Sequence, residues 1–323
     1  MALVKKIISK FNGLHYQQEY ICLSREALNE PSHLYLVSNN QIIKNITNHH
    51  LFVGYCPLIL AFTTFTDVVV TESIQLILSQ HSLSPNGFFS KKDALATLTL
   101  KQIKKQVAGN NTVFYFEGTH GSHHFLSQFH QLVNDTINQW YNKKPGNVFL
   151  HSNLYKQVQI AYAIPRIISL ITVGNRGLFN LFPTDLHGQA DDEHYIISLR
   201  IGGKACEQVE ATGKLAIAQV DCNAYKTVYA LGKNHMQELK SRDNFPFGQS
   251  LSAQFQLPLP QAMLSYKELA LQDTFAYGIH KILLFKIVTN QQAMDQTATL
   301  AHIHNSYATW RYKNKLPGNY LLR

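Results

Sequence analysis

The rhythm of hydrophobic and polar positions changes near residue 150. Before it, short apolar runs at 33–38, 52–62, 67–73 and 111–118 are rich in β-branched and aromatic residues, and predict strands. Residues 90–107 (SKKDALATLTLKQIKKQV) carry Ser90 at an N-cap position, Asp93 three residues on and lysines near the end, which predicts a helix. Residues 122–142 place Phe125, Phe129, Leu132, Val133, Ile137, Trp140 and Tyr141 on one stripe, predicting an amphipathic helix capped by Ser122. NKKPGN (142–147) then reads as a linker. Strand-like runs follow at 166–173, 193–200, 214–221, 261–271 and 279–289. Two short helical pieces interrupt them: 204–213, ended by Gly213, and 223–232, capped by Asn223 and ended by Gly232. Five strands with short helices between them predict a closed or nearly closed barrel rather than a doubly wound sheet. The expected fold class is α+β, with a mixed α/β region of unassigned role at 1–150 and a barrel domain at 151–323.

Composition narrows the function classes. Of 323 residues, 45% are apolar and 15% charged, so core material is ample and a disordered chain is excluded. The formal charge of +9 favours anionic partners. The lysine clusters are short and scattered, and no zinc-finger spacing or RNA-binding signature appears, so a phosphate-bearing small ligand is expected rather than nucleic acid. Cys22, Cys56, Cys206 and Cys222 lie far apart with no C-x-x-C pair, which argues against a disulfide framework and a zinc site. The opening residues lack a signal-peptide core, and the most apolar stretch, 51–65, is broken by Gly54 and Pro57. A soluble, reducing, cytoplasmic protein without membrane contact is expected.

Candidate chemistry is sparse. No dinucleotide or P-loop glycine fingerprint appears, since GNRG (174–177) and Gly202-Gly203 are too short. LRIGGKACEQV (199–209) joins a strand end, two glycines and a helix start, flanked by Arg200 and Lys204. That is either a generic anion site or a tight turn with solvated cations. His120, His123, His124 and His130, with Glu117 nearby, lack a zinc motif, and helix-capping or surface histidines are expected. His302, His304, Tyr307, Trp310 and Arg311 cluster in the tail, either as helix packing or as a clamp over a ring. GLFNLFPTDLHGQ (177–189) mixes bulky apolar residues with Asn180, Thr184, Asp185 and His187, and reads as either a pinned loop or a ligand-site wall.

Taken in order, three segments resemble the flavin reductase family, whose fold is the FMN-binding split barrel. They are YAIPRIISLITVGNRGLFNLFP, EHYIISLRIGGKACEQVEATGKLAIAQVD and AMLSYKELALQDTFAYGIHKILLFKIV. The resemblance covers about 155–323. It implies FMN (or FAD) as cofactor, NAD(P)H as co-substrate, and a homodimer with FMN near its interface. It places the ring and its neighbours at Asn180, Leu181, Phe182, Pro183, Thr184 and Asp185. The phosphate falls at Ser198, Arg200, Lys204 and Ala205, and the nicotinamide side at His280. Glu268 holds the position where the family commonly carries a Glu. No catalytic acid or nucleophile is implied, because the cofactor performs the chemistry. Two departures stand out: Thr184-Asp185 replaces serines, and Cys206 replaces a Thr or Ser. Asp185 would repel a phosphate, so it is expected near the ring or ribityl hydroxyls. A non-catalytic flavin or ring-ligand binding protein on the same barrel is the alternative.

Overall fold

The computed structural model describes residues 11–25, 33–48, 50–64, 73–84, 89, 92, 94–109, 111–141, 148, 150, 151, 153–291, 298–316, 321 and 322. The chain divides into two compact units. One comprises Met1–Ile21, Leu28–Pro165 and Ile303–Asn319, and the other Cys22–Ala27, Arg166–His302 and Tyr320–Arg323. The architecture is α+β, built on antiparallel sheets.

The first unit holds β1 (His33–Ser38), β2 (Gln41–Asn45), β3 (His50–Tyr55), β4 (Leu58–Thr64), β5 (Ser73–Ser79), β6 (Ala96–Ala108) and β7 (Asn111–His123). Their order in the sheet is β2-β1-β5-β6-β7-β4-β3. From Ala96 on, the helix expected at 90–107 is instead β6, paired on both sides with β5 and β7, while the expected cap positions Ser90 and Asp93 lie outside the described residues. Its first half buries Ala96, Leu98 and Leu100 while Thr97 and Thr99 lie outward, so a period of two overrides the helix-like caps. Residues 52–62 form a hairpin rather than one strand, turning at Cys56-Pro57. The run at 67–73 lies outside the described residues except Ser73, and so does the linker at 142–147.

Helix α1 (Gln128–Tyr141) starts later than expected, because Ser122 still belongs to β7. Its inward face is polar: Asn134 and Asn138 are buried, and Asn134 donates to the carbonyls of Asn12 and His130. Phe129, Leu132 and Trp140, expected inside, are exposed. Helix α2 (Leu154–Ala161) packs on β7 where Gly118 and Gly121 leave room for Gln157.

The second unit holds β8 (Ser169–Asn175), β9 (Leu178–Thr184), β10 (His187–Gln189), β11 (His194–Arg200), β12 (Lys214–Val220), β13 (Lys240–Ser241), β14 (Met263–Tyr277) and β15 (His280–Gln291). They form one antiparallel sheet, ordered β10-β11-β15-β14-β12-β8-β9-β13. Arg176 and Gly177, both at positive φ, make the two-residue turn between β8 and β9. Helix α3 (Lys204–Thr212) ends at Gly213 in the left-handed conformation, as its sequence predicts. It lays Ala205, Cys206 and Val209 on a core of Ile171, Val173, Phe182, Ile197, Leu215, Leu269 and Phe285. In helix α4 (Tyr225–Ala230) and the turn before it, Asp221 rather than Asn223 is the capping side chain. Gly232 does not end the run either, since a 3₁₀ turn continues through Leu231–Met236. Helix α5 (Asn305–Lys313) belongs to the first unit.

Candidate functional site

Residues 178–184, read as a loop, are the strand β9, and this changes what their side chains do. Phe182 lies opposite Ile171 and enters the sheet–helix core, while Leu181 faces a second core with Leu170 and Val220. Asn180 is fully buried. Its Nδ2 donates to Gln208 Oε1 at 2.8 Å and to the Asn234 carbonyl at 3.0 Å, and its Oδ1 has no hydrogen-bond partner. The outer edge of β9 is occupied by the 231–236 turn. Asn234 donates to the Leu181 carbonyl at 2.8 Å, and His235 Nε2 lies 2.6 Å from the Pro183 carbonyl. Of the expected ring-side residues, Pro183 and Asp185 are partly exposed, Thr184 is nearly closed off, and Asn180, Leu181 and Phe182 are interior.

Beyond Thr184 the chain becomes polar and partly open. His302 Nδ1 lies 2.9 Å from Asp185 Oδ2, and Arg166 Nε donates to the Asp185 carbonyl at 3.3 Å. On its other nitrogen, His302 meets the Tyr229 hydroxyl at 2.5 Å. His187 Nδ1 is 2.7 Å from the Tyr195 hydroxyl and its Nε2 3.1 Å from the Ile167 carbonyl. Burial pushes His187 down to about 4, against the opposing pull of the Asp185 charge. Burial likewise lowers His235.

Ser198 joins this polar segment to the next motif. Its amide donates to the Leu186 carbonyl at 2.9 Å, and its hydroxyl lies 3.1 Å from His280 Nδ1, 82 positions away. Both side chains are almost fully buried. Burial first, then the charges of Arg200 and Arg166, push His280 down to about 4. Arg200 is exposed where β11 ends, and Gly202, at φ +78°, opens onto clear space. Lys204 differs from its expected role as a ready anion ligand: it already pairs with Glu207 at 3.1 Å and Glu238 at 3.0 Å. The hydrogen bonds from Glu238 and Glu207 raise its pKa. Ala205 is core. At the Cys206 departure, burial pushes the thiol up to about 11.

The sequence reading singled out neither Arg166 nor Tyr229. Nothing local marks them, because each meets its partners only through strand pairing or helix docking. The tail cluster does not assemble as one clamp. His302 joins Asp185 and Tyr229, whereas Tyr307, Trp310 and Arg311 pack together in the first unit. His120 and His124 lie on and beside a strand rather than a helix face, and among the described residues no group of three or more potential ligands could hold a metal ion. No described helix is long and apolar enough to cross a membrane.

No protein-family model matches the chain, and no curated protein matches it in sequence. Solved structures align with about half of it. The NADH:FAD oxidoreductase of Streptomyces globisporus C-1027 covers 50% of this chain and 96% of its own, at 13% identity and TM-score 0.42. The flavin reductase component of a bacterial two-component tryptophan halogenase covers 47% and 94%, at 12% identity and TM-score 0.41. An FMN-binding protein from Thermus thermophilus covers 44% and 88%, at 14% identity and TM-score 0.36. At such scores the likeness decides nothing by itself, and the chain's own residues must carry any functional reading.

Proposed function

We propose that the second unit is a split-barrel flavin-binding module that passes a hydride from NAD(P)H to FMN or a closely related flavin. The observation that carries this reading is Ser198. Three segments picked out in the sequence, 177–189, 193–221 and 262–288, meet at that one residue through its amide and hydroxyl. The residues suit a flavin nucleotide in two places. Arg200, exposed beside the open Gly202 turn, suits the phosphate, with buried Ser198 and neutral His280 holding its strand end in place. Pro183 and Asp185, with His235, His302 and Tyr229 around them, suit the polar edge of the ring and the ribityl hydroxyls. Asn180, Leu181, Phe182 and Ala205 support this wall from inside, and His280 bears on a ligand through Ser198 rather than by stacking on nicotinamide. The flavin, when bound, supplies the hydride-accepting chemistry; the protein binds, orients and excludes water.

The engagement of Lys204 by two carboxylates favours the second reading, a flavin or ring-ligand binder without turnover. Titrating purified protein with FMN under absorbance, then adding NADH or NADPH without oxygen, separates the two. Binding followed by rapid bleaching supports the oxidoreductase. Binding without bleaching supports the binder, and no binding of FMN or FAD removes the oxidoreductase and the flavin binder alike, leaving only a binder of another ring ligand.

A further inference from the structure

Asp185 is where this chain departs from the family it resembles, and its carboxylate does not stand alone. Three elements distant in sequence converge on one line of hydrogen bonds: Asp185 beyond the end of β9, His302 on the strand Leu300–His304, and Tyr229 on α4. Asp185 Oδ2 is 2.9 Å from His302 Nδ1, across 117 positions, and His302 Nε2 is 2.5 Å from Tyr229 Oη, across 73. The Asp185 and His302 side chains each retain 18% of their exposure, and Tyr229 is partly exposed, so the line reaches the surface. A carboxylate on Nδ1 fixes the tautomer and orientation of an imidazole, stabilises its charged form and leaves Nε2 to exchange a proton with the hydroxyl beyond it. Neighbouring groups fit this use. Arg166 holds the Asp185 backbone carbonyl, while burial keeps the nearby His187 and His235 below their ordinary value, so they compete poorly for the proton.

We infer that Asp185, His302 and Tyr229 form a proton relay, in which Tyr229 is the catalytic donor to a ring that accepts a hydride and Asp185 and His302 are positioning residues. This rests on the flavin reading above. With His302 charged, the Tyr229 O–H bond breaks and its proton goes to the ligand, while the Nε2 proton of His302 moves to Tyr229 Oη. His302 is left neutral with Nδ1–H on Asp185, and solvent reprotonates it. The hydride and its electron pair come from NAD(P)H, so no further reductant is needed.

The test has two arms on the full chain. In the first, ligand-free protein with nitrogen-labelled histidine is examined by NMR. The expected result is a His302 Nδ1–H signal shifted downfield, lost in Asp185→Asn, together with an Nε2 chemical shift that moves in Tyr229→Phe. His302 nitrogen shifts unmoved by both substitutions overturn the relay. In the second arm, FMN is bound and reduced by NADH in rapid mixing. At saturating FMN, Tyr229→Phe is expected to reduce the bound flavin about 100-fold more slowly than the parent and to lose the solvent isotope effect. Parent-like reduction with an intact NMR signature makes the triad a structural staple and overturns the inference. If the parent binds no flavin, the flavin reading and the delivery step fall together, while the NMR arm still reports whether the three groups share a proton.

Discussion

Glu268 and His280 sit on the two strands of one hairpin, β14 and β15, and both are essentially removed from solvent. One is held ionised and the other neutral. Burial alone would push Glu268 up. Its carboxylate, however, accepts from the amides of Gln254 at 2.9 Å and Phe255 at 2.6 Å, and hydrogen bonds from Ser252 and Thr289 add to these, so its pKa ends below the ordinary value. At His280, whose Nδ1 lies 3.1 Å from the Ser198 hydroxyl, the charges of Arg200 and Arg166 act in the same direction as burial. Equal burial therefore gives opposite charge states, decided by which partners converge. Glu268 anchors the 252–257 loop to the sheet, while His280 is a neutral support beneath the exposed Arg200.

The sharpest break of this comparison is Glu268→Gln. An amide in place of the carboxylate points donors at backbone N–H groups, and the expected cost is about 3 kcal/mol. Thermal denaturation reads it, and a midpoint within 1 °C of the parent would remove the anchoring role. Acid should expose both residues in sequence. The folded pKa of His280 is depressed, so its contribution is complete above 6.5 and drains as pH falls from there to about 4. It is worth on the order of 3 kcal/mol if the whole shift is realised. Glu268 is also depressed, so its contribution is present above 4.5 and is lost only as pH falls further. Denaturant titrations across pH should therefore fall in two stages; His187, also near 4, shares the upper one, so His280→Gln should make it shallower, and an unchanged upper stage contradicts the assignment.

Arg200→Ala sharpens the other half. With one guanidinium gone, the His280 pKa should rise and FMN binding should weaken about tenfold, with no loss of thermal stability. A fixed His280 titration in NMR, or unchanged binding, counts against the cluster. Lys204→Ala should do least, less than about threefold on FMN binding, because two surface carboxylates already engage that ammonium. A larger loss for Lys204 than for Arg200 would restore the helix start as the phosphate site.

Strands and the α3 helix of the second unit were legible in the sequence because their signals are local: continuous strand-like runs at 193–200 and 214–221, and a glycine at 213. The failures have a common cause too. Residues 90–107 carry good helix caps, yet Ala96, Leu98 and Leu100 alternate with threonines, and pairing with two neighbouring strands won. The stripe on α1 looked like a buried face, but the partners available to it were backbone carbonyls, which drew Asn134 inward and left Trp140 out.

In GLFNLFPTDLHGQ, local pattern alone marked the segment as unusual, and the tertiary structure divided it. From Asn180 to Phe182 it is a core strand, because pairing with β8 sends Leu181 and Phe182 into two apolar layers. From Asp185 on it is a polar rim, because His302, Arg166 and Tyr229 arrive there from distant parts of the chain. Periodicity, turns and caps follow from residues a few positions apart and can be read directly. The partner of a buried charge depends on long-range chain approach, which no short stretch encodes.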